Sequence, residues 1–235
     1  SFDSIQSHGI LIAALVADNE AVNNALFNLL QADYKFLVQI PCAAHTLQLT
    51  VKKILALDGV NSIISSMNDI LSAFVLSKDN RLKLKNLQLS NVNEGESNKL
   101  YSLIRPCDTR WSSSYYAAER MLNLQQYVDI IMKQPSSFWD NLRSLTECLQ
   151  PFQAATDIIQ ADSANLFSVY SQFTILLSHI SSLPETHILH SRRNDALDII
   201  IRYWYNNINV SAVISCALLS FSSIALKEFS TERRC

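Results

Sequence analysis

The stretch Gly9-Ile-Leu-Ile-Ala-Ala-Leu-Val-Ala17, followed directly by Asp18-Asn19, decides the fold class of this chain. An unbroken apolar run of this length predicts a strand that is buried on both faces of a parallel sheet. Apolar residues at helical spacing predict a helix from Glu20 to about Ala32, and Phe36–Ile40 is predicted to be a second short strand. Because one helix joins the two strands, we expect them to be parallel neighbours, with Asp18 at the carboxyl edge of their sheet.

The rest of the chain is predicted to be almost entirely helical. One helix should begin at about Cys42 and end before Asp58-Gly59, and Tyr101–Arg105 is the last predicted strand. Pro151 is expected to kink or split the helix that contains it. The fold class is therefore α/β and helix-dominated, with a mixed part over residues 1–111 and an all-helical part over residues 112–235. The other predicted helices are Val60–Leu76 with a basic continuation over Ser77–Leu89, Ser112–Lys133, Phe138–Ala161, Leu166–Leu183, Thr186–Tyr205 and Val210–Leu226.

Composition narrows the class of protein. Hydrophobic residues make up 49% of the 235 residues and charged residues 17%, which excludes a disordered chain. The formal net charge is -2, whereas a protein that binds nucleic acid by itself usually carries an excess of basic residues. If this chain contacts DNA, a local basic patch or another domain must attract the phosphates. Five cysteines at irregular spacing predict reduced thiols in an intracellular compartment. No membrane-spanning stretch or signal peptide is visible, so we expect no membrane partner, and the start at Ser1 predicts a fragment of a longer protein.

Asp18 is a candidate metal ligand. Ligands of open α/β sheets bind just beyond the carboxyl ends of the strands, and a carboxylate there can bind Mg²⁺ together with substrate phosphate oxygens. The alternative from the residues alone is that Asp18 caps the following helix, with Asn19 in the turn.

Cys42 and His45 have the spacing of two zinc ligands on a helix. A zinc site normally needs four ligands, and the other suitably spaced pair, His187 and His190, lies far along the chain. The alternative is a small buried thiol beside a hydrogen-bonded core histidine. We therefore do not expect zinc in this segment.

Asp108-Thr-Arg110-Trp111 combines a cation with an aromatic plane. An arginine binds phosphate through its bidentate fork, and a tryptophan can stack on an unpaired base. An Asp–Arg ion pair beside a tryptophan packed in the core is an equally ordinary interpretation. A basic run at Lys78, Arg81, Lys83 and Lys85 fits either a phosphate backbone or a solvated helix face.

Taken in order, these motifs resemble the catalytic core of hAT-type DNA transposases, the hobo–Activator superfamily. That family has an Asp-Asn after a buried strand, a C-x-x-H on a helix and then an x-Arg-Trp, which correspond here to Asp18-Asn19, Cys42–His45 and Asp108–Trp111. The flanking residues agree as well. Cys-Ala-Ala-His-Thr-Leu-Gln-Leu is similar to the family's C-x-x-H-x-L-x-L, and Arg-Trp-Ser-Ser-Ser-Tyr to its R-W-x-S-x-Y.

The resemblance implies a partial RNase H-like core over residues 1–111 and a helical insertion over residues 112–235. It implies that the full-length protein uses three acidic residues and Mg²⁺ or Mn²⁺ for DNA strand cleavage and transfer. Asp18 would be the second of these acids and a metal ligand. Arg110, Trp111 and His45 would contact DNA, with Trp111 near a base removed from the stack. Cys42, Asn19 and Asp108 would shape the active site.

The resemblance also implies what is missing. The family's first acid lies on an upstream strand and its third acid follows the insertion. Glu232 has a superficially similar context but is not assigned as catalytic. The fragment alone is therefore not expected to cleave DNA, and a homo-oligomer would form through regions not present here. A nuclear location follows from the resemblance. The alternatives are a domesticated, non-catalytic DNA- or protein-binding module and a helical protein-interaction domain.

Overall fold

The computed structural model describes residues 14–18, 20–35, 37–91, 100–107 and 110–207. Several predicted features lie outside these ranges. They are the first part of the predicted strand at residues 10–13, the candidate site residues Asn19 and Asp108, Phe36, the helix Val210–Leu226 and Glu232.

Within the described residues, the chain is helix-dominated and has one two-stranded parallel sheet. The elements are β1 (Ala14–Ala17), α1 (Ala21–Asp33), β2 (Val38–Pro41), α2 (Ala43–Leu55), α3 (Val60–Leu76), α4 (Lys78–Ser90), α5 (Ser112–Asn123), α6 (Gln125–Ile131), α7 (Ser136–Gln160), α8 (Leu166–Ser181), a 3₁₀ turn (His190–Arg192) and α9 (Arg193–Asn207).

The chain forms two compact units. The strand unit comprises the described residues within 1–50, 155–177 and 198–235, and the helix unit comprises those within 51–154 and 178–197. The predicted domain boundary at residue 111 stays a prediction.

The parallel pairing of the first two strands is confirmed. β1 and β2 pair in parallel in the strand unit, with Ala14 opposite Val38 and Ala17 opposite Pro41. Helix α1 makes the connection between them, as predicted from its apolar spacing. A side-chain hydrogen bond fastens this helix to the sheet, because Gln39 Nε2 donates to Asn24 Oδ1 at 2.7 Å.

The predicted burial on both faces is wrong for Ala14–Ala17, the described part of the first strand. Val16 in β1 is 61% exposed, and α1 also leaves Val22, Leu26 and Leu29 exposed along one face. Burial of a parallel strand requires cover on both sides. In the described part of the chain, β1 has β2 as its one neighbouring strand, so the outward face of Val16 remains in solvent.

The core of the strand unit lies around Trp204 of α9. Its ring packs against Phe173 of α8 at a centroid distance of 4.5 Å, with Tyr170 at 6.2 Å. Leu47 of α2 and Leu37, just before β2, are almost completely buried in the same unit. These aromatic contacts hold α8 and α9 together within the strand unit.

The helix unit has a core that follows helical periodicity. The buried residues of α3 fall on one stripe, as expected for a helix with one face against the core. Gly59 has a φ of 83°, a conformation that favours glycine, and it ends the turn that precedes α3. The stripe on α3 consists of Val60, Ile63, Met67, Ile70, Leu71 and Phe74.

The predicted basic helix after α3 is confirmed as α4, but its continuity with α3 and the predicted strand at Tyr101–Arg105 are wrong. The basic stretch is a separate helix, α4, because the Ser77 hydroxyl accepts a hydrogen bond from the Asn80 N–H at 3.1 Å and starts a new helix. Tyr101–Arg105 is not a strand. Its chain is held by a side chain, since Gln88 Oε1 accepts from the Tyr101 N–H and Gln88 Nε2 donates to the Tyr101 carbonyl, both at 2.9 Å.

The later helices differ in detail from the prediction. The predicted helix Ser112–Lys133 is divided into α5 and α6 at Leu124. Pro151 does not split its helix, because α7 continues past it as one element of 25 residues, and the predicted kink stays a prediction. The predicted helix Thr186–Tyr205 begins only at Arg193, after turns and the 3₁₀ segment. No strand follows residue 106 within the described residues, as predicted.

No single helix within the described ranges is both long and apolar enough to cross a membrane. The bent pair α2 and α3 meets that length and composition test only when the two are taken together.

Candidate functional site

Asp18 follows β1 directly and is exposed. Its backbone carbonyl accepts a hydrogen bond from Asn23 Nδ2 at 3.0 Å. The capping alternative does not describe this residue, because the N-cap position of α1 is occupied by Glu20 and no side chain caps that helix. The structure therefore leaves the Asp18 carboxylate at the carboxyl edge of the sheet, where the sequence places it.

The helix that carries Cys42 and His45 begins against the same edge. The Cys42 N–H donates to the Ala17 carbonyl at 2.8 Å, which extends the β1–β2 pairing by one bond. Cys42 is therefore held next to the residue that precedes Asp18. Both Cys42 and His45 are half-buried.

Two buried threonines in the first turns of α2 satisfy their hydroxyl groups on their own helix. The Thr46 hydroxyl donates to the Cys42 carbonyl at 3.1 Å, and the Thr50 hydroxyl donates to the Thr46 carbonyl at 2.8 Å. Because both hydroxyls bond one turn back on their own helix, they can lie in the core without an unsatisfied polar atom.

A cleft of about 280 Å³ lies beside Cys42 within the strand unit. Its walls come from segments far apart in the sequence, and they are mostly apolar, so it accepts apolar atoms more readily than phosphate. Sequence reasoning missed this cleft, since nothing local indicates that the start of α8 meets the end of β2. The lining residues are Val16, Ile40, Pro41, Cys42, Ala43, Ala44, Ile159, Ala164, Asn165, Leu166 and Val169.

His187, the proposed partner in a zinc site, uses both ring nitrogens within the helix unit. Its Nδ1 accepts from the Leu189 N–H at 3.1 Å, so its Nε2 carries the proton and donates to the Ser144 carbonyl at 3.0 Å. Burial lowers the pKa of His187 below its usual value of 6.5. A neutral, doubly hydrogen-bonded imidazole has no lone pair left for a metal ion in this conformation.

Metal-ligating side chains are sparse in the described ranges. Among those residues, no group of three or more His, Cys, Asp or Glu side chains is placed to hold a metal ion. Asp18 supplies one carboxylate at the sheet edge, which does not by itself fit a two-metal centre. Further ligands for such a centre would have to come from residues beyond those described.

Arg110 and Trp111 belong to the helix unit, at the start of α5. Arg110 is exposed. The Ser113 hydroxyl fixes the turn around it, accepting from the Cys107 N–H at 2.8 Å and lying 2.6 Å from the Arg110 carbonyl oxygen. This contact gives a physical reason for the serine of the R-W-x-S pattern.

The Trp111 side chain is 3% exposed. In this conformation its ring lies in the core, and stacking on a DNA base would require the ring to leave its packed position. Burial agrees with one part of the alternative, the tryptophan packed in the core, whereas its Asp–Arg ion pair involves Asp108, which lies outside the described residues. The contact of Trp111 with DNA, and the convergence of Arg110 and Trp111 with Asp18 on one cleft, stay predictions.

The comparison with protein families covers the segment that carries Cys42, His45, Arg110 and Trp111. Residues 40–149 match the ZBED1 RNase-like helical domain. This is a hAT-derived, transposase-like family, so the match supports a hAT-related, transposase-like helical domain over these residues. The matched range includes Cys42, His45, Arg110 and Trp111, whereas Asp18 precedes it. No curated protein and no solved structure gave a significant match.

Proposed function

We propose that the chain is the central part of a hAT-like DNA transposase whose full-length form cleaves and transfers DNA strands with Mg²⁺ or Mn²⁺. One observation carries the proposal, the 2.8 Å hydrogen bond from the Cys42 N–H to the Ala17 carbonyl. Through it, two motifs that are 24 residues apart in the sequence, Asp18 and Cys42, meet at the carboxyl edge of one parallel sheet. This is the edge at which α/β proteins bind their ligands.

Each residue has a distinct part in the proposal. Asp18 would be a metal ligand, because hard divalent cations prefer carboxylate oxygens. Bound metal ions would activate the attacking oxygen and stabilise the leaving one. Exposed Arg110 would bind a DNA phosphate through its guanidinium fork, and the buried ring of Trp111 would anchor the turn that presents it. His45 would contact DNA beside the sheet edge.

The remaining parts of the proposal concern the surroundings of the site. A partial RNase H-like core would be completed by carboxylates and strands outside the described residues, with Asn19 and Asp108 shaping the site. The partner would be DNA, the location the nucleus, and any homo-oligomer would form through other regions of the protein.

A metal-binding experiment tests the role of Asp18 in the chain itself. Weak Mn²⁺ binding, followed by the paramagnetic broadening of NMR signals, should centre on the amides around Asp18 and disappear in Asp18→Asn. Glu20→Gln is the matched control, since Glu20 is also exposed and lies two residues away. Broadening that survives Asp18→Asn unchanged would remove Asp18 as a ligand.

A cleavage experiment tests the activity in a protein extended by the coding sequence on both sides. Nicking of supercoiled DNA with Mn²⁺ should be abolished by Asp18→Ala and retained in Glu20→Gln. Equal cleavage with alanine at position 18 would contradict the catalytic assignment. Arg110→Ala should weaken DNA binding and flatten its salt dependence, whereas Arg110→Lys should retain the charge-dependent part.

A further inference from the structure

A second cavity lies within the helix unit and has a different chemistry from the cleft beside Cys42. Its volume is about 420 Å³, within the size range of small-molecule sites. One wall is the face of α5 on which side chains recur at positions i, i+3, i+4 and i+7, and the other is the extended segment 100–107. The side chains that matter here are Tyr101, Ile104, Tyr116, Glu119, Arg120 and Asn123.

Tyr101 is held in place from two sides. The buried side chain of Gln88 makes two hydrogen bonds to its backbone, each of 2.9 Å. The Arg120 guanidinium lies 4.7 Å from the centroid of its ring, and Arg120 Nη1 donates to the Ser102 carbonyl at 3.2 Å. Tyr101 nevertheless remains 39% exposed as a residue and lines the cavity, so a ligand can reach it.

Tyr116 and Glu119 are positioned by Tyr115. The rings of Tyr115 and Tyr116 pack edge to face, with centroids 5.3 Å apart, while Tyr116 stays 43% exposed. Burial, reinforced by the Glu119 charge, raises the pKa of Tyr115, so its hydroxyl keeps its proton. That hydroxyl donates to Glu119 Oε1 at 3.4 Å, so it restrains one oxygen of a side chain that lines the cavity.

We infer that this cavity is a binding site for a guanine base, stacked on Tyr101 and Tyr116 and read by the Glu119 carboxylate. Exposed phenol rings beside an arginine are the usual platform for an unpaired base. Guanine presents two adjacent donors, N1–H and the N2 amino group, which a carboxylate accepts together. The other bases present no such donor pair on that edge, and the N1 acceptor of adenine would be repelled.

The charge of the cavity favours a base over a phosphate. Glu119 and Arg120 carry opposite formal charges on the same wall, so no net positive charge draws in an anion. A single carboxylate instead favours a ligand that offers hydrogen-bond donors. The Asn123 amide can donate to the O6 or N7 acceptors of guanine. The site requires neither Asp18 nor a metal ion, so it goes beyond the proposed transposase function and can fail independently of it.

Titration of the chain with nucleotides tests the assignment. GMP should bind about tenfold or more tightly than AMP or CMP, as measured by the chemical shifts of Tyr101 and Tyr116 or by calorimetry. A second titration identifies the source of the base. The second ligand is a thymidine oligonucleotide with one central dG. If the chain binds this oligonucleotide more tightly than GMP, the natural ligand is a single strand. If the two affinities are equal, the natural ligand is a free nucleotide. Equal binding of GMP and AMP would overturn the inference.

Three variants separate recognition from folding. Glu119→Gln should reduce the preference for GMP over AMP to about threefold or less, because an amide cannot accept two donors together. Tyr116→Ala should weaken all nucleotides, whereas Tyr116→Phe should retain binding since the ring face remains. An unchanged preference for GMP in Glu119→Gln would also overturn the inference. Arginine amide serves as a second probe, because its guanidinium also offers paired donors to a carboxylate, and tighter binding of this probe than of GMP would likewise overturn the inference. Circular dichroism melts of the exposed-site variants check that the fold is intact.

Discussion

Replacing Gln88 by methionine should release the segment 100–107 from α4. Methionine has a similar length and shape but offers neither the amide donor nor the carbonyl acceptor, so both 2.9 Å bonds to Tyr101 are lost. Each such bond has a net value of about 0.5–1.5 kcal/mol, so we expect the free energy of unfolding to fall by about 1–3 kcal/mol. For a domain of this size, that corresponds to a decrease in Tm of about 2–12 °C.

Two measurements check this expectation. Urea unfolding followed by circular dichroism gives the stability change, and the rate of chymotrypsin cleavage after Tyr101 reports release of the segment. Gln126→Met is the control, because Gln126 is exposed and its replacement should change stability by less than about 0.5 kcal/mol. If Gln88→Met matched this control in stability and kept the wild-type cleavage rate, the side chain would not be what holds the segment.

Three further outcomes follow from individual side chains. Burial raises the pKa of Cys148 to about 12. Iodoacetamide should therefore modify exposed Cys107 in the native protein but Cys148 only after unfolding. If peptide mass spectrometry found comparable modification rates for the two thiols in the native protein, the burial of Cys148 would be contradicted. The pKa of His187 is lowered by burial, so the unfolded state binds the proton more readily and stability should fall as the pH decreases below about 6.5. His187→Asn should reduce that pH dependence in urea titrations between pH 5 and 8, and an unchanged dependence would assign it to another group. Asp129 Oδ1 accepts a hydrogen bond from Trp139 Nε1 at 2.9 Å. Asp129→Ala should therefore lower the free energy of unfolding by about 1–3 kcal/mol, and Asp129→Asn should lower it less. Tryptophan fluorescence during unfolding measures both changes.

Local pattern was sufficient for the elements nearest the candidate site. The apolar run before Asp18, one amphipathic helix and a second short run predicted a parallel pair, because a single crossover leaves few other arrangements. The helix Val60–Leu76 was predicted with the bounds that the structure has, since its apolar stripe is regular and Gly59 marks its start.

What sequence could not reveal depends on partners far along the chain. The segment Tyr101–Arg105 is extended but paired with the Gln88 side chain, and strand propensity cannot distinguish a side-chain partner from a backbone one. Helix α9 starts late because His187 is held by the Ser144 carbonyl, 43 residues earlier, in a turn conformation. The burial of Trp111 likewise results from packing around α5, which the short R-W motif does not encode.

The exposed valine of β1 has a consequence for how the molecule behaves at different concentrations. Among the described strands, β1 and β2 each have one edge without a neighbouring strand, and unpaired edges recruit strands from other chains. Exposed apolar side chains lie close in sequence to the edge of β1, namely Val16, Val22, Leu26 and Leu29. Covering their surface with a second molecule would contribute about 25 cal/mol of favourable free energy for each Å². Dilution opposes such pairing by mass action, whereas moderate warming strengthens the apolar contribution. A further strand from the rest of the protein, placed at this edge, would remove that apolar surface from contact between molecules, and any homo-oligomer would then form through other regions, as proposed.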